Sequence, residues 1–136
     1  MKAKAKATSR QTERGAAAVE FALVLPILML LIFGIVDFGR MLNAKITITE
    51  AAREGARAAA LVDAAAGADR ARAAADGYSI DEPQVTPCAD PPNAADDATV
   101  TVTYQFHFIT PVSFLLGAGS DGTVELTANG VMPCLS

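Results

Sequence analysis

A run of sixteen uncharged residues, from Phe21 to Val36, constrains this chain more than any other feature of its sequence. Counted from Ala16, the apolar run is 21 residues long and contains one charged residue, Glu20. At about 1.5 Å per residue, a helix of that length spans roughly 31 Å, the thickness of one hydrocarbon core. We therefore predict a transmembrane helix over residues 16–37.

Charges are distributed unevenly on the two sides of this run. Residues 1–15 have five basic side chains and one acidic, a net charge of +4, whereas residues 16–136 have six basic and fourteen acidic, a net charge of −8. Under the positive-inside rule, this predicts a cytoplasmic N-terminus and an exported, acidic remainder. A basic arm can also bind nucleic acid, but the apolar run that follows at once argues against such a partner. A cleaved secretory signal is disfavoured, because only a poor cleavage site, around Ala44, follows the run.

Glu20 is an unexpected residue in a segment that faces lipid. An ionised carboxylate at the bilayer centre costs about 2.5–3.5 kcal/mol on insertion scales, and a position near the start of the run lowers that cost. In one interpretation, the side chain snorkels to the interface and has no further role. In the other, it neutralises a positive charge on another subunit, because an unpaired charge in a low dielectric is costly. The physical chemistry of the run alone leaves both open.

The residues on either side of Glu20 resemble the type IV prepilin signal. Gly15 follows the basic head, Glu20 comes five residues later, and Phe21 begins the uncharged run. Together with the stretch "EAAREGARAAA" at residues 50–60, residues 14–61 resemble the TadE-like family, small pseudopilin-type proteins of tight-adherence (Tad) pilus systems. The residues on which this resemblance depends are Arg14, Gly15, Glu20, Phe21, Pro26, Gly34, Asp37 and the Glu-Ala-Ala-Arg-Glu-Gly run at 50–55.

This resemblance implies a structural role in pilus assembly, with no catalysis, no cofactor and no metal. It implies that a prepilin peptidase removes a basic leader, residues 1–15, by cutting between Gly15 and Ala16. Glu20 becomes the fifth residue of the mature chain and pairs with the new amine of a neighbouring pilin or pseudopilin subunit, with Phe21 in the same assembly segment. Membrane lipid is the remaining expected partner. Because abundant Tad pilins are short and nearly all helix, the additional domain here favours a minor component of a pilus or secretion apparatus.

A constitutively membrane-anchored extracytoplasmic binding domain is the main alternative. Such a protein would keep its basic head and would not enter a filament. The N-terminus of the membrane-extracted protein distinguishes the two hypotheses.

The rest of the chain predicts an α+β fold. Residues 38–77 are rich in alanine and contain no proline, which predicts an extracytoplasmic helix with Gly77 as its C-cap. Residues 78–136 form the predicted small β domain, in which residues 99–108 and 122–132 alternate between apolar and polar side chains, as strands do. With a shorter strand before them, we expect an antiparallel sheet of two or three strands packed on the long helix.

Two further patterns lie between Asp37 and Arg72. Small residues recur at every fourth position, as Ala52, Ala56 and Ala60, and as Ala51, Gly55 and Ala59. This spacing lets another helix approach closely, and a solvated alanine-rich helix is an equally good interpretation. Opposite charges also recur three residues apart, as Asp37–Arg40, Glu50–Arg53, Glu54–Arg57 and Asp69–Arg72. Such pairs lie on one helix face and predict ion pairs.

Cys88 and Cys134 are the only cysteines of the chain. In an exported domain an even count predicts a disulfide, with two free thiols as the alternative. Closing a loop of this length is worth roughly 4 kcal/mol in the chain-entropy model. A metal site is disfavoured, because His107 is the only histidine.

Three features resemble binding or catalytic sites, but their sequence context argues against each. The stretch "GAGSDG" at 117–122 matches a dinucleotide-binding motif by letter but precedes a strand, so we interpret it as a hairpin connection. His107 lies in the middle of a predicted strand without a nucleophile motif, which argues against catalysis. The acidic residues Asp90, Asp96 and Asp97 lack the spacing of a calcium loop. We therefore predict a protein that is not an enzyme.

Overall fold

The computed structural model describes residues 8–91, 95–110 and 121–134, with side chains described from Gly15 onward. Helix α1 spans Thr8–Leu61 and helix α2 spans Ala64–Ala74. Three strands follow, β1 at Gln84–Thr86, β2 at Asp97–His107 and β3 at Thr123–Pro133. The chain divides into two compact units between Val36 and Asp37. The α+β fold with one membrane-capable helix is as predicted.

The first unit contains the apolar part of α1. Over its most apolar 18-residue window, α1 has a mean hydropathy of 2.7, and none of that window is buried. By length and composition, the helix can cross a membrane. Pro26 lies inside it without ending it. A stretch of large apolar side chains that is exposed on all sides needs a surrounding of lipid or other helices.

The second unit is a three-stranded antiparallel sheet with the later part of α1 packed on one face. The strand order is β1-β2-β3, and β2 pairs with β3 along its full length, from Asp97↔Pro133 to His107↔Thr123. Alternation along β2 decides which side chains are buried, as predicted: Val100, Val102 and Phe106 point into the core. The core cluster consists of Ile48, Ala52, Ala56 and Ala59 of α1, Ala71 of α2, and Ala98, Val100, Val102 and Ala128 of the sheet.

The prediction of one continuous helix over residues 38–77 is wrong at Val62 and Asp63. α1 ends at Leu61, and the Asp63 carboxylate accepts a hydrogen bond from the backbone N–H of Ala66 at 2.7 Å, which caps the start of α2. The chain therefore turns back, and α2 packs beside α1 instead of extending it. α2 itself ends at Ala74, and Gly77 adopts a left-handed backbone with φ of +84° just beyond.

Small residues of α1 bring the backbone elements of this unit into close contact. A Cβ built on Gly55 would lie 2.9 Å from the Cβ of Ala71 and 3.0 Å from the carbonyl oxygen of Gly67. The helix that approaches the predicted stripe of small residues is therefore α2 of the same chain. On the sheet side, a Cβ on Gly130 would lie 2.1 Å from the carbonyl oxygen of Ala52. The interpretation as a solvated alanine-rich helix is wrong for this stretch.

A disulfide closes the sheet at one end, as predicted. It joins Cys88, which follows β1, to Cys134, which follows β3, with a Cα–Cα distance of 5.8 Å. The bridge links the segments after the two outer strands, 46 residues apart in sequence. A small sheet gains stability from such a link because the core alone is thin.

Two of the four predicted ion pairs form. Arg40 lies 3.3 Å from Asp37, and Arg72 lies 3.0 Å from Asp69. Glu54 instead contacts Arg70 of α2 at 3.1 Å, so this carboxylate links the two helices. Arg72 also contacts Glu82. These pairs are exposed, apart from Asp37, and contribute little each.

Candidate processing and assembly site

The predicted processing site lies within α1, where the helix has no packing partner in the chain. Gly15 and Ala16 are exposed, and a Cβ built on Gly15 would meet no atom within 4 Å. Packing inside the described chain therefore does not require a glycine at position 15. Helix geometry does not require it either, since glycine is less favourable than alanine in a helix interior by about 1 kcal/mol.

Glu20 and Phe21 share this exposed stretch of α1. Glu20 is exposed, and among the residues that the structure describes it has no ion pair or hydrogen bond. Ala16 precedes it by four residues, so the two lie one above the other on the same helix face. Phe21 is 61% exposed. This part of the helix thus presents an unpaired carboxylate and a bare aromatic ring to its surroundings.

Asp37 forms a second polar centre, which the sequence indicated only in part. Its side chain is 1% exposed and accepts hydrogen bonds from the backbone N–H of Ile109 at 3.3 Å and of Thr110 at 3.2 Å. The Thr110 hydroxyl also donates to it, and Arg40 approaches at 3.3 Å. The Arg40 pairing was predicted from the three-residue spacing. The contacts with residues 109 and 110 were not, because nothing local links positions 72 and 73 residues apart.

Arg40 extends this centre toward the sheet. Its guanidinium carbon lies 5.3 Å from the centroid of the Phe106 ring, and Phe106 meets Phe108 edge to face. An aromatic contact therefore fixes the last part of β2 to α1, and polar contacts fix the residues just after it. Asp37 is the first residue after the uncharged run, so this attachment begins where the apolar segment ends.

The described ranges contain no group of residues that could hold a metal ion. His107 is exposed, and its Nδ1 lies 3.1 Å from the carbonyl oxygen of Gln105 in its own strand. Within those ranges, no group of three His, Cys, Asp or Glu residues could hold a metal ion. Most of the 117–122 stretch lies outside the described residues.

One family model matches part of the chain. Residues 15–57 match the family model of TadE-like proteins. The match confirms the resemblance and covers Gly15, Ala16, Glu20, Phe21 and Asp37. It supports a component associated with a Tad pilus, and the family is one of structural components. The sheet, beyond residue 57, lies outside the match. Neither a curated protein nor a solved structure matches the chain significantly.

Proposed function

We propose that this chain is a minor pilin or pseudopilin-like structural component of a Tad-type pilus or secretion apparatus. The observation that supports this most strongly is that the TadE-like match begins at Gly15 and covers an exposed, membrane-capable helix whose apolar run contains one carboxylate. The chain acts by contact and has no catalysis of its own. Its relevance to adhesion or secretion follows from the apparatus that it joins.

Processing by a prepilin peptidase is the first step of this proposal. Residues 1–15 form the basic leader, residues 16–37 span the membrane, and the peptidase cuts between Gly15 and Ala16 on the cytoplasmic side. Removing the leader removes a charge of +4, which would otherwise resist withdrawal of the helix from the membrane. The cut also creates an α-amine on Ala16, with an unperturbed pKa of about 8.

Pairing of Glu20 with this amine is the second step. The ammonium group and the carboxylate neutralise each other where water is scarce, and removing either one leaves the other unpaired. Since Ala16 and Glu20 lie one turn apart, the amine of the same chain is also within reach. A role in setting register between subunits requires the amine of the neighbour, so co-assembly is the relevant readout.

The second unit occupies the extracytoplasmic side in this proposal, with residues 38–77 forming the helical part and residues 78–136 the disulfide-tied sheet. The partners are the prepilin peptidase, other pilin or pseudopilin subunits and membrane lipid. Oxidising conditions outside the cytoplasm agree with the disulfide of Cys88 and Cys134. The alternative is a permanently anchored extracytoplasmic binding domain, which would keep residues 1–15 and would not enter a filament.

The test is mass spectrometry of the protein extracted from the membrane of cells that have a Tad system. We expect an N-terminus at Ala16 for the parent protein, whereas Gly15→Ala should retain residues 1–15. Gly34→Ala is the matched control, because a Cβ at either glycine meets no atom within 4 Å. An intact leader on the parent protein would support the anchored alternative and contradict processing.

A further inference from the structure

Asn129 and Gly130, in β3, are the only Asn-Gly pair of the chain. Asparagine is a chemically labile residue, because the backbone nitrogen of the next residue can attack its side-chain amide carbon. A following glycine favours this attack, since it has no Cβ to obstruct the approach. The packing of α1 on β3 requires glycine at this position, because a Cβ on Gly130 would lie 2.1 Å from the carbonyl oxygen of Ala52. The fold therefore keeps a glycine directly after Asn129.

The side-chain amide of Asn129 is the accessible partner in this reaction. Its neighbours Ala128 and Gly130 are buried against α1, so alternation along the strand directs Asn129 to the opposite face of the sheet, where it is exposed. Among the residues that the structure describes, this amide has no hydrogen-bond partner. Water can therefore reach it, and no hydrogen bond fixes its orientation.

The backbone nitrogen of Gly130, in contrast, takes part in the β2–β3 ladder. Just beyond the ladder, the backbone N–H of Cys134 donates to the carbonyl oxygen of Asp96 at 2.9 Å. Hydrogen-bonded pairs recur at every second residue of an antiparallel ladder, and the register from this end is unbroken. Val100↔Gly130 is therefore a hydrogen-bonded pair, in which the Gly130 N–H donates to the carbonyl oxygen of Val100.

This pairing keeps the two reacting atoms apart. To reach the side-chain carbon of Asn129, the Gly130 nitrogen must leave its hydrogen bond to Val100, and the Asn129 backbone must leave its extended conformation. The close contact of Gly130 with Ala52 opposes both movements, because it leaves no room for the strand to shift toward α1. The reaction therefore requires that this part of β3 separates from β2.

We propose that Asn129 is a modification site that reacts only when this part of β3 separates from β2. The Gly130 nitrogen then forms a bond to the side-chain amide carbon of Asn129 and gives up its proton, and the side-chain nitrogen leaves as ammonia. Water opens the resulting cyclic imide at either carbonyl carbon and yields an aspartate or an isoaspartate. The proposal is independent of cleavage and filament entry.

The isoaspartate product cannot restore the native ladder. Its backbone runs through the former side chain of residue 129 and is one carbon longer, so the residues that follow are displaced relative to β2. Register decides which side chains face the core, and a displaced Gly130 cannot both face α1 and keep its hydrogen bond to Val100. The modification therefore records irreversibly that the strand has opened.

The test compares the folded and unfolded full-length protein at mildly alkaline pH. One sample is incubated in detergent micelles, and the other in denaturant with a reducing agent. A glutamyl endopeptidase cuts after Glu125 and, with the disulfide reduced, releases residues 126–136. Mass spectrometry measures the replacement of the Asn129 side-chain NH₂ by OH, and chromatography separates isoaspartate from aspartate. Asn43 is the internal control, because the side chain of Ala44 obstructs the same attack there.

We expect modification of Asn129 to be at least about tenfold slower in the folded protein than in the unfolded chain. In the unfolded chain, Asn129 should react severalfold faster than Asn43, with isoaspartate among its products. The variant with Cys88→Ser and Cys134→Ser, kept in micelles without denaturant, should react at an intermediate rate. Its sheet lacks the disulfide next to β3 and therefore opens more often.

Equal rates in the folded and unfolded protein would overturn the proposal, because strand pairing would then not control the reaction. Aspartate as the only product would overturn it as well, since direct hydrolysis of the amide forms no isoaspartate. So would equal rates at Asn129 and Asn43 in the unfolded chain, since Gly130 would then have no effect. A double cysteine variant that is less stable but reacts no faster than the parent would also contradict control by strand opening.

Discussion

At the scale of single residues, Asp37 is the buried carboxylate that the second unit must stabilise. Burying an ionised carboxylate is costly unless hydrogen bonds replace its lost water, and here two backbone N–H groups, one hydroxyl and one guanidinium do so. Its counterpart in the first unit, Glu20, has no such partner among the described residues. One acidic side chain is thus satisfied within the chain, and the other is exposed.

Asp37→Asn should destabilise the second unit. The amide cannot accept from all four donors, and its NH₂ group would face donors at Ile109 and Thr110. Hydrogen bonds to charged groups are worth about 1.5–3 kcal/mol, so we expect a loss in that range, measured by denaturant unfolding in detergent micelles. Asp69→Asn is the control, because its pair with Arg72 is exposed and should cost less than about 1 kcal/mol. Equal losses would contradict the assigned role of Asp37.

Gly130→Ala should also destabilise the protein, for a steric reason. The added methyl group would lie 2.1 Å from the carbonyl oxygen of Ala52 and 2.7 Å from the backbone nitrogen of Arg53, which are backbone atoms that cannot rotate away. We expect a loss of about 1–3 kcal/mol in the free energy of unfolding. Gly39→Ala, with no atom within 4 Å, should be neutral or stabilising by up to about 1 kcal/mol. A neutral Gly130→Ala variant would show that helix and sheet are less closely packed.

At the scale of elements, what could be predicted depended on how local the signal is. Alternation of apolar and polar residues in β2 and β3 predicts both strands and their buried faces, because this pattern can be recognised within a few consecutive residues. The end of α1 at Leu61 was not predicted. Alanine on both sides of Val62 and Asp63 favours helix, and helix propensity does not indicate where the chain turns back. Asp63 was the available signal, as an aspartate that can cap a new helix.

Contacts between residues far apart in the sequence were harder to predict. The Glu54–Arg57 spacing predicted a pair within α1, but the backbone reversal brings Arg70 closer to Glu54. The processing and assembly residues were predicted through a family resemblance that the match over residues 15–57 confirms. Asp37's contacts with residues 109 and 110, just after β2, required the tertiary structure, because no local pattern pairs an acidic residue with backbone N–H groups so far along the chain.

The disulfide links the segments that follow β1 and β3, and the effect of its loss on stability is simple to measure. Cys88→Ser with Cys134→Ser should lower the free energy of unfolding by about 4 kcal/mol, as the chain-entropy model gives for a loop of this length. Thermal unfolding with and without a reducing agent measures this loss. Reductant should shift the melting temperature of the parent protein and leave that of the double variant unchanged. No shift in the parent would contradict a stabilising disulfide.

At the scale of the whole molecule, the two units differ in what they leave unsatisfied. The first unit exposes large apolar side chains and Glu20, so it requires lipid or other helices. The second has its own core, its disulfide and its ion pairs. All six basic residues after residue 15 lie between Arg40 and Arg72, and the eight acidic residues that follow have no Lys or Arg among them. The part of the second unit that follows Arg72 is therefore strongly acidic, which suits exposure to water and to cationic partners.

Co-assembly of a Glu20→Gln variant tests the central claim, that this carboxylate pairs with the amine of a neighbouring subunit. Glutamine keeps the size and removes the charge, so we expect processing at Ala16 to persist while recovery with pilin subunits in sheared filament fractions falls about tenfold, equivalent to roughly 1.4 kcal/mol. Glu50→Gln is the matched control, an exposed carboxylate of α1 outside the apolar run. If Glu20→Gln co-assembles as well as the parent and the Glu50→Gln control, the carboxylate does not set register between subunits.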